Sequence, residues 1–289
     1  MITYWLEGAL ACIYSIVIYA DPHIQALRFK EQTILSKLLP RLSSAIVVSS
    51  AELLSSMLLF CLSMLVAALC GYAASLTPPK DEITEAERIS LMFMATFTIL
   101  PPILVESVIR GVTGSLRRPK LRIALWVFVC LLAVAVRALA HYAPTLDLYG
   151  QAYDTTYDED KAKKYTYEEF CAAETTHLWR ALNGFQVTLL TLVVFWLIIS
   201  VPWAQRFEAV RNRPSFWWKV PATFSFGGIW MFLGIFTAYS RRQGIMSGTS
   251  NKELSWGFGQ FLALATWVQP VVDMIYTFCC KYRTRGKSV

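Results

Sequence analysis

Five ionisable side chains stand inside long apolar stretches of this sequence: Glu7, Glu52, Glu106, Arg137 and Asp273. Such groups are expensive to bury in an apolar medium and therefore mark candidate functional positions. A carboxyl group that is desolvated and lies near other carboxyl groups is expected to stay protonated near neutral pH. An acid of this kind, surrounded by aromatic rings, can protonate an alkene or an epoxide and start a cyclisation, because the rings stabilise the resulting cation.

Three of the carboxyl groups form one candidate catalytic site. Asp273 is the expected proton donor because it lies deep in its apolar stretch, and Glu52 and Glu106 are its expected partners. Trp267 and Trp230 are the aromatic side chains expected to line the cavity. The site is thus predicted to hold a small lipophilic molecule.

Ion pairing is the alternative explanation for these carboxyl groups. Glu106 precedes Arg110 by one helical turn, the spacing at which opposite charges pair on a helix. Core packing is likewise an alternative role for Trp230 and Trp267. Under these alternatives the three acids have no catalytic role.

Seven apolar segments must position these residues, and each is long enough to cross a bilayer as a helix. They cover about 2–20, 45–75, 89–109, 123–142, 181–204, 220–240 and 256–278. The second is longer than a simple span needs, so it must tilt, kink or begin in the headgroup layer. The predicted fold is therefore all-α, a bundle of seven transmembrane helices forming a single integral membrane domain over residues 1–289.

Lys and Arg orient this bundle. They are about twice as frequent in the connections that follow the first, third, fifth and seventh segments as in the other connections, which favours those four as cytoplasmic. The N-terminus is then outside or lumenal and the C-terminus cytoplasmic. At about 1.5 Å per residue, Glu52, Glu106 and Asp273 lie roughly 6 to 12 Å from the cytoplasmic ends of their segments. Glu7 and Arg137 lie toward the other face.

The composition agrees with a membrane protein and argues against nucleic-acid binding. Of the 289 residues, 55% are hydrophobic and only 16% charged, and the mean hydropathy is +0.44, which is too apolar for an ordinary soluble domain. The net charge of +7 comes from Lys and Arg clusters between apolar segments, the distribution of an orientation signal. The predicted partners are the lipid bilayer and a small lipophilic molecule, and both the endoplasmic reticulum and the plasma membrane fit.

No metal or cofactor is predicted. The seven cysteines show no zinc-binding spacing. The acidic loop at 143–178 contains Asp158-Glu159-Asp160 but lacks the glycine and the bidentate glutamate of a calcium loop, so a solvated loop outside the cytoplasm is expected. Cys279 and Cys280, beside the basic tail, fit reversible palmitoylation, with unmodified thiols as the alternative.

Three local patterns predict features of the helices. Pro101-Pro102 should kink the third segment, because each proline lacks the N–H that a helix needs. Gly227-Gly228 and Gly234 should permit close helix approach in the sixth. Residues 21–44 have roughly helical apolar spacing, which fits either a helix on the membrane surface or an extension of the second span.

Sequence motifs of some known heptahelical and lipid-modifying proteins are missing. There is no DDxxD pair of the membrane prenyltransferases, and the last segment has no lysine for a retinal Schiff base. The stretch from Gln269 to Asp273 is similar to the NPxxY element of heptahelical receptors. No Asp-Arg-Tyr triplet closes the third segment, however, which weakens a receptor interpretation.

The start of the last segment carries a family resemblance. The run Trp256-Gly257-Phe258-Gly259-Gln260, with Trp267 and Pro270, resembles the last-helix pattern of poorly characterised multi-pass membrane proteins of filamentous fungi. The resemblance covers one helix of about 20 residues. It implies a fungal setting and a specialised-metabolite pathway, because genes of this group often lie near such gene clusters. The layout is also similar to the fungal transmembrane terpene cyclases, small heptahelical proteins that work through membrane carboxylates.

Two classes of function follow from these observations. The first is an intramembrane enzyme, similar in chemistry to a terpene cyclase, that acts on a lipophilic intermediate. The second is a receptor or transport-type protein for a small lipophilic compound. A non-catalytic accessory role in the membrane is a further alternative.

Overall fold

A computed structural model describes the chain over 2–27, 34–76, 85–113, 119–142, 180–198 and 214–247, together with helical residues at 271–272, 274–276 and 278. Every segment of this part is helical apart from a two-residue turn at 98–99. The helices are α1 Ile2–Leu27, α2 Ile34–Leu76, α3 Glu85–Phe97, α4 Leu100–Thr113, α5 Pro119–Tyr142, α6 Arg180–Ile198 and α7 Pro214–Ser247. The all-α prediction is therefore confirmed for the described residues.

Five helical stretches are long and apolar enough to cross a membrane. They are Pro40–Ala74, Arg88–Val112, Leu121–Tyr142, Arg180–Ile198 and Trp217–Ala238, and they coincide with the second to sixth predicted spans. Five such helices fit an integral multi-pass membrane protein that contacts the lipid bilayer. The first predicted span forms α1 but is not among the five, and most of the seventh lies outside the described residues.

The second span is much longer than a bilayer requires. Helix α2 has 43 residues and begins at Ile34, so the second half of the 21–44 connection extends this span. This is one of the two arrangements that the apolar spacing of the connection allowed. Pro40 lies inside the helix, where its missing N–H and its ring disturb the backbone hydrogen bonding.

The third span is broken at a position that the prolines explain. Helix α3 ends at Phe97, a turn covers Thr98 and Ile99, and α4 starts at Leu100. Pro101 and Pro102 cannot donate to the carbonyl groups four residues earlier, which belong to Phe97 and Thr98. The predicted distortion is therefore present. It leaves two short helices in one span, and 94% of the most apolar window of that span is buried.

The chain divides into two compact units. One comprises 1–61, 97–125 and 196–289, and the other 62–96 and 126–195. In the first unit, α1, α4 and α7 pack against one another. Ring contacts join Tyr4 to Phe236 at 6.5 Å and Tyr19 to Trp218 at 6.1 Å, so α1 and α7 run antiparallel.

Helices α1 and α2 of the first unit are also antiparallel. The rings of Tyr4 and Phe60 lie 6.3 Å apart, and further along, the hydroxyls of Tyr14 and Ser49 are hydrogen bonded at 3.2 Å. Tyr4 also meets the edge of Phe97 at 5.6 Å. The start of α1 is therefore enclosed by aromatic side chains from three other parts of the unit.

The second unit uses its cations to bind backbone carbonyl groups. Arg88 Nε donates to the carbonyl of Ala140 at 3.2 Å, and the Tyr72 hydroxyl donates to the carbonyl of Arg88 at 2.7 Å. Arg137, one of the five ionisable residues in the apolar stretches, donates from Nη1 to the carbonyl of Asn183 at 3.2 Å. These contacts tie together the ends of helices, which is a structural role.

Close helix approach occurs at Gly8 and Gly111, two glycines that the sequence did not single out. A Cβ atom added at Gly8 would lie 2.9 Å from Ile229 Cγ2, and one at Gly111 would meet the indole ring of Trp218. At Gly227 and Gly234 nothing among the described residues lies within 4 Å of the added atom. Helix α7 therefore supplies the bulky side chains of these contacts, while α1 and α4 supply the small ones.

The substitution Gly111→Ala should destabilise the protein. The new methyl group cannot coexist with the Trp218 ring unless one of the helices shifts, and such overpacking costs about 1 to 3 kcal/mol. The matched control is Gly234→Ala, whose new methyl group meets no described atom within 4 Å. This variant should gain the better helix propensity of alanine, about 0.5 to 1 kcal/mol. Thermal unfolding of the purified variants in detergent measures both. A Gly111→Ala variant as stable as Gly234→Ala would contradict the packing of α4 against α7.

Candidate functional site

The predicted carboxyl site in the third span contains an ion pair. Glu106 Oε1 accepts hydrogen bonds from Arg110 Nη2 at 2.7 Å and from Arg110 Nε at 3.1 Å. The Glu106 side chain is fully buried and that of Arg110 is 21% exposed. The guanidinium of Arg110 also lies 4.7 Å from the ring centre of Trp196, within the range of a cation–π interaction. The pairing suggested by the four-residue spacing is therefore present.

A second arginine lies near this pair. Arg122, in the first turn of α5, is only 7% exposed and interacts electrostatically with Glu106, Arg110 and Glu52. Its Nη1 is buried and has no hydrogen-bond partner among the described residues. In the sequence, Arg122 counts only as one of the Lys and Arg residues that orient the bundle, because the fourth predicted segment begins at the next residue.

The structure brings together two of the three predicted acids. Glu52 of α2 and Glu106 of α4 both lie near Arg122, Glu106 buried and Glu52 exposed. We call Glu52, Glu106, Arg110 and Arg122 the charge group. Its two acids and two arginines balance in charge. Asp273, the third acid, lies outside the described residues.

The other predicted site residues are not part of the charge group. Trp230 is 43% exposed and lies at the surface of α7, with its ring 6.1 Å from that of Trp5. Trp267, Cys279 and Cys280 lie outside the described residues. Within the part of the chain that is described, no three His, Cys, Asp or Glu side chains come together to hold a metal ion.

Glu7 has the most unusual environment of the five ionisable residues in the apolar stretches. Its side chain is 0% exposed, and neither carboxyl oxygen has a hydrogen-bond partner among the described residues. A buried polar group without a partner is costly, and a buried unpaired charge is far more costly. The carboxylic acid is therefore the form that this environment favours.

Aromatic rings surround the neighbourhood of Glu7. Tyr4 lies one helical turn before it on the same face of α1. The Tyr4 ring contacts those of Phe60, Phe97 and Phe236, at centroid distances from 5.6 to 6.5 Å. Glu7 and this set of four rings, which we call the aromatic group, form the second candidate site.

The helical period of α1 explains why Glu7 is buried. The residues of α1 at 0 to 9% exposure recur at three- and four-residue spacing along one face, and they include Tyr4, Glu7, Ala11, Tyr14 and Ile18. The exposed apolar residues, such as Ile13 and Ile16, fall on the opposite face. The sequence predicted only that Glu7 lies toward the non-cytoplasmic face, and Glu7 was not part of the predicted catalytic site. Small and aromatic residues at this spacing are the signal that could have identified it.

The two candidate sites lie at different levels in the first unit. Phe97 is level with Tyr4, and Glu106 follows Phe97 by about nine residues, or roughly 13 Å of helix. Glu7 lies about 4.5 Å beyond Tyr4 in the same direction. The Glu7 carboxyl and the charge group are therefore separated by about 9 Å along the helix axes.

Substitutions of Glu106 and Arg110 should have non-additive effects on the free energy of unfolding. Arg110→Gln leaves the Glu106 carboxylate buried without its partner, which should cost about 3 to 5 kcal/mol in unfolding free energy. Arg180→Gln, at an exposed position in α6, is the matched control and should cost little. The double variant Glu106→Gln with Arg110→Gln should be more stable than the sum of the single effects predicts. If the effects of the two single substitutions on thermal unfolding simply add in the double variant, Glu106 and Arg110 do not stabilise each other.

Comparison with known proteins identifies no relative. The sequence matches no protein-family model, and it shows no significant similarity to a curated protein or to a solved structure. The function is therefore argued from the residues and their geometry.

Proposed function

We propose that this protein is a seven-span membrane enzyme, with its N-terminus outside and its C-terminus in the cytoplasm, that cyclises a small lipophilic molecule. Glu7 is the proton donor of the reaction and the aromatic group stabilises the cation that forms. The single observation that carries the proposal is the complete burial of the Glu7 carboxyl without a hydrogen-bond partner among the described residues.

The environment of Glu7 fits an acid more closely than that of Glu106. Arg110 donates two hydrogen bonds to Glu106, so the Glu106 carboxyl has a partner within the helix. No described residue donates to Glu7, so desolvation opposes its ionisation without compensation. An enzyme that must protonate a weakly basic alkene or epoxide needs a group of the second kind.

The reaction follows from the two parts of this site. The Glu7 carboxyl transfers its proton to a carbon of an alkene or to the oxygen of an epoxide, which leaves a carboxylate and a cationic substrate. The cation is attacked by another double bond of the same molecule, and a ring closes. The faces of Tyr4 and its aromatic neighbours stabilise the positive charge until the Glu7 carboxylate takes back a proton from a carbon next to the cation and an alkene re-forms. The surrounding apolar side chains keep water away from the cation.

The residues proposed from the sequence retain roles in this scheme. Asp273 and Trp267 of the last span are proposed as a further acid and a further aromatic wall. The ring of Trp230 contacts that of Trp5, the residue after Tyr4 in α1, and Trp230 is proposed to line the entry to the site. A fungal specialised-metabolite pathway, suggested by the resemblance of the last segment, is the proposed setting.

Proton-coupled transport of a lipophilic compound is the second candidate. Glu7 lies where α1 packs against α4 and α7, and a carboxyl group at a helix interface can couple its protonation to a movement of the helices. The same residue would then carry a proton across the membrane instead of giving it to the substrate. Retention of the finished compound on the wrong side of the membrane distinguishes this role from an enzyme.

The substitution Glu7→Gln should abolish the reaction, because the amide has nearly the same shape but cannot donate the proton. In cells that carry this variant in place of the wild type, a lipophilic precursor should accumulate as it does when the gene is deleted. Metabolite profiling of cells and medium measures this. The matched control is Asp21→Asn, a carboxyl-to-amide change in the same helix, which should leave the profile unchanged. An unchanged product at normal protein level in Glu7→Gln would overturn the proposal, and a shifted partition of the product would favour transport.

Removal of the Glu7 carboxyl should raise the thermal stability of the protein even though it abolishes the reaction. Replacing the buried carboxyl by the apolar side chain of leucine removes an unpaired polar group, so Glu7→Leu should raise the Tm of the purified protein. A Glu7→Leu variant with a lower Tm would show that the carboxyl is part of the framework.

A further inference from the structure

The geometry points to an oxyanion-binding site at Arg122, with Arg110 beside it, that takes the phosphate of an amphiphilic molecule. Two independent observations support it: the buried Nη1 of Arg122, which has no hydrogen-bond partner among the described residues, and the position of Arg122 in the first turn of a 24-residue helix. The site is distinct from that of Glu7, whose carboxyl is separated from the charge group by about 9 Å along the helix axes.

Arg122 shares its two acidic neighbours with Arg110, and its Nη1 has no hydrogen-bond partner among the described residues. Arg110 occupies Oε1 of Glu106 with two hydrogen bonds, and Glu52 is exposed and forms no ion pair with a described residue. Arg110 and Arg122 are also close enough to repel each other. A buried cation with an incomplete set of partners is unfavourable, and an anion that contacts it removes this cost.

The chemistry of the site favours a phosphate group. A guanidinium presents N–H donors in a planar fork that matches two oxygens of a phosphate. Long side chains in a helix point back toward its N-terminus, so Arg122 extends toward the positive end of the α5 dipole. Trp196, stacked on Arg110, borders the site with an apolar surface that suits an alkyl chain.

If the proposed function holds, the site also defines the substrate. A phosphate bound at Arg122 would leave an apolar chain pointing toward Glu7, with the reacting group about 9 Å from the head. Only this last step rests on the proposed function. The anion site itself is tested by binding, which does not depend on turnover.

Binding is measured with the full chain in a maltoside detergent, which contains no phosphate, and with dodecyl phosphate as the probe. Dodecyl phosphate should raise the Tm, whereas dodecanol, which has the same chain without the anion, should not. Arg122→Gln should weaken the apparent affinity at least tenfold, while Arg180→Gln and Glu7→Gln should leave it unchanged. Equal affinity of the wild type and Arg122→Gln would overturn the inference.

A measurement without the probe tests the incomplete hydrogen bonding of Arg122. Arg122→Met should raise the Tm, because it replaces a buried cation with an unsatisfied N–H group by an apolar side chain of similar length. A lower Tm would show that another part of the protein pairs with Arg122, and this would also overturn the inference.

The source of the phosphate is identified by adding phosphatidic acid to the micelles. If phosphatidic acid raises the Tm and displaces dodecyl phosphate, the site binds a membrane lipid headgroup. If only dodecyl phosphate binds, the site takes a smaller phosphorylated amphiphile. Both results support an oxyanion site at Arg122, and the absence of binding by either compound contradicts it.

Discussion

The cost of burying an ionisable group without a partner governs the interior of this protein. The described helices are apolar, and most of the ionisable residues among them either reach the surface or are hydrogen bonded. Glu106 is neutralised by Arg110, and Arg137 binds a backbone carbonyl. Glu7 and Arg122 depart from this pattern within the described residues. A protein retains such costly groups when its function requires them, which is why both proposals rest on these two residues.

Helix α1 positions the second candidate site. One face of it packs against α4 and α7, and the same face carries both Tyr4 and Glu7. Because α1 runs antiparallel to α2 and α7, ring contacts at its beginning and near Tyr19 fix the levels of its neighbours. The close approach at Gly8 holds α1 against Ile229. The position of the Glu7 carboxyl is therefore determined by packing along the whole length of the helix.

The sequence predicted the features that depend on local chemistry. Long apolar segments predicted seven membrane spans, and five of these are helices long and apolar enough to cross a membrane. The missing N–H groups of Pro101 and Pro102 predicted a distortion of the third span, which has a turn at 98–99. The four-residue spacing of Glu106 and Arg110 predicted their pairing. Each of these depends on residues near one another in the chain, so the sequence alone carries the information.

The features that depend on packing between helices were not predictable in this way. Hydropathy does not show which face of α1 is covered, so the burial of Glu7 was missed. The fourth segment was predicted to begin at 123, so Arg122 was assigned to the preceding loop, but it is a buried residue in the first turn of α5. The close contacts of Gly8 and Gly111 with bulky side chains of α7 were not predicted, and Gly227 and Gly234 meet no described atom within 4 Å. Such contacts are set by the partner helix, which a single sequence does not identify.

The most direct test of this account is the protonation state of Glu7. Infrared spectroscopy of the purified protein at neutral pH detects the carbonyl stretch of a protonated carboxylic acid. The account predicts a band of this kind that disappears in Glu7→Gln and remains in Asp21→Asn. A spectrum in which Glu7→Gln instead removes only an ionised carboxylate band would show that Glu7 is charged, and it would contradict the role of this residue as the proton donor.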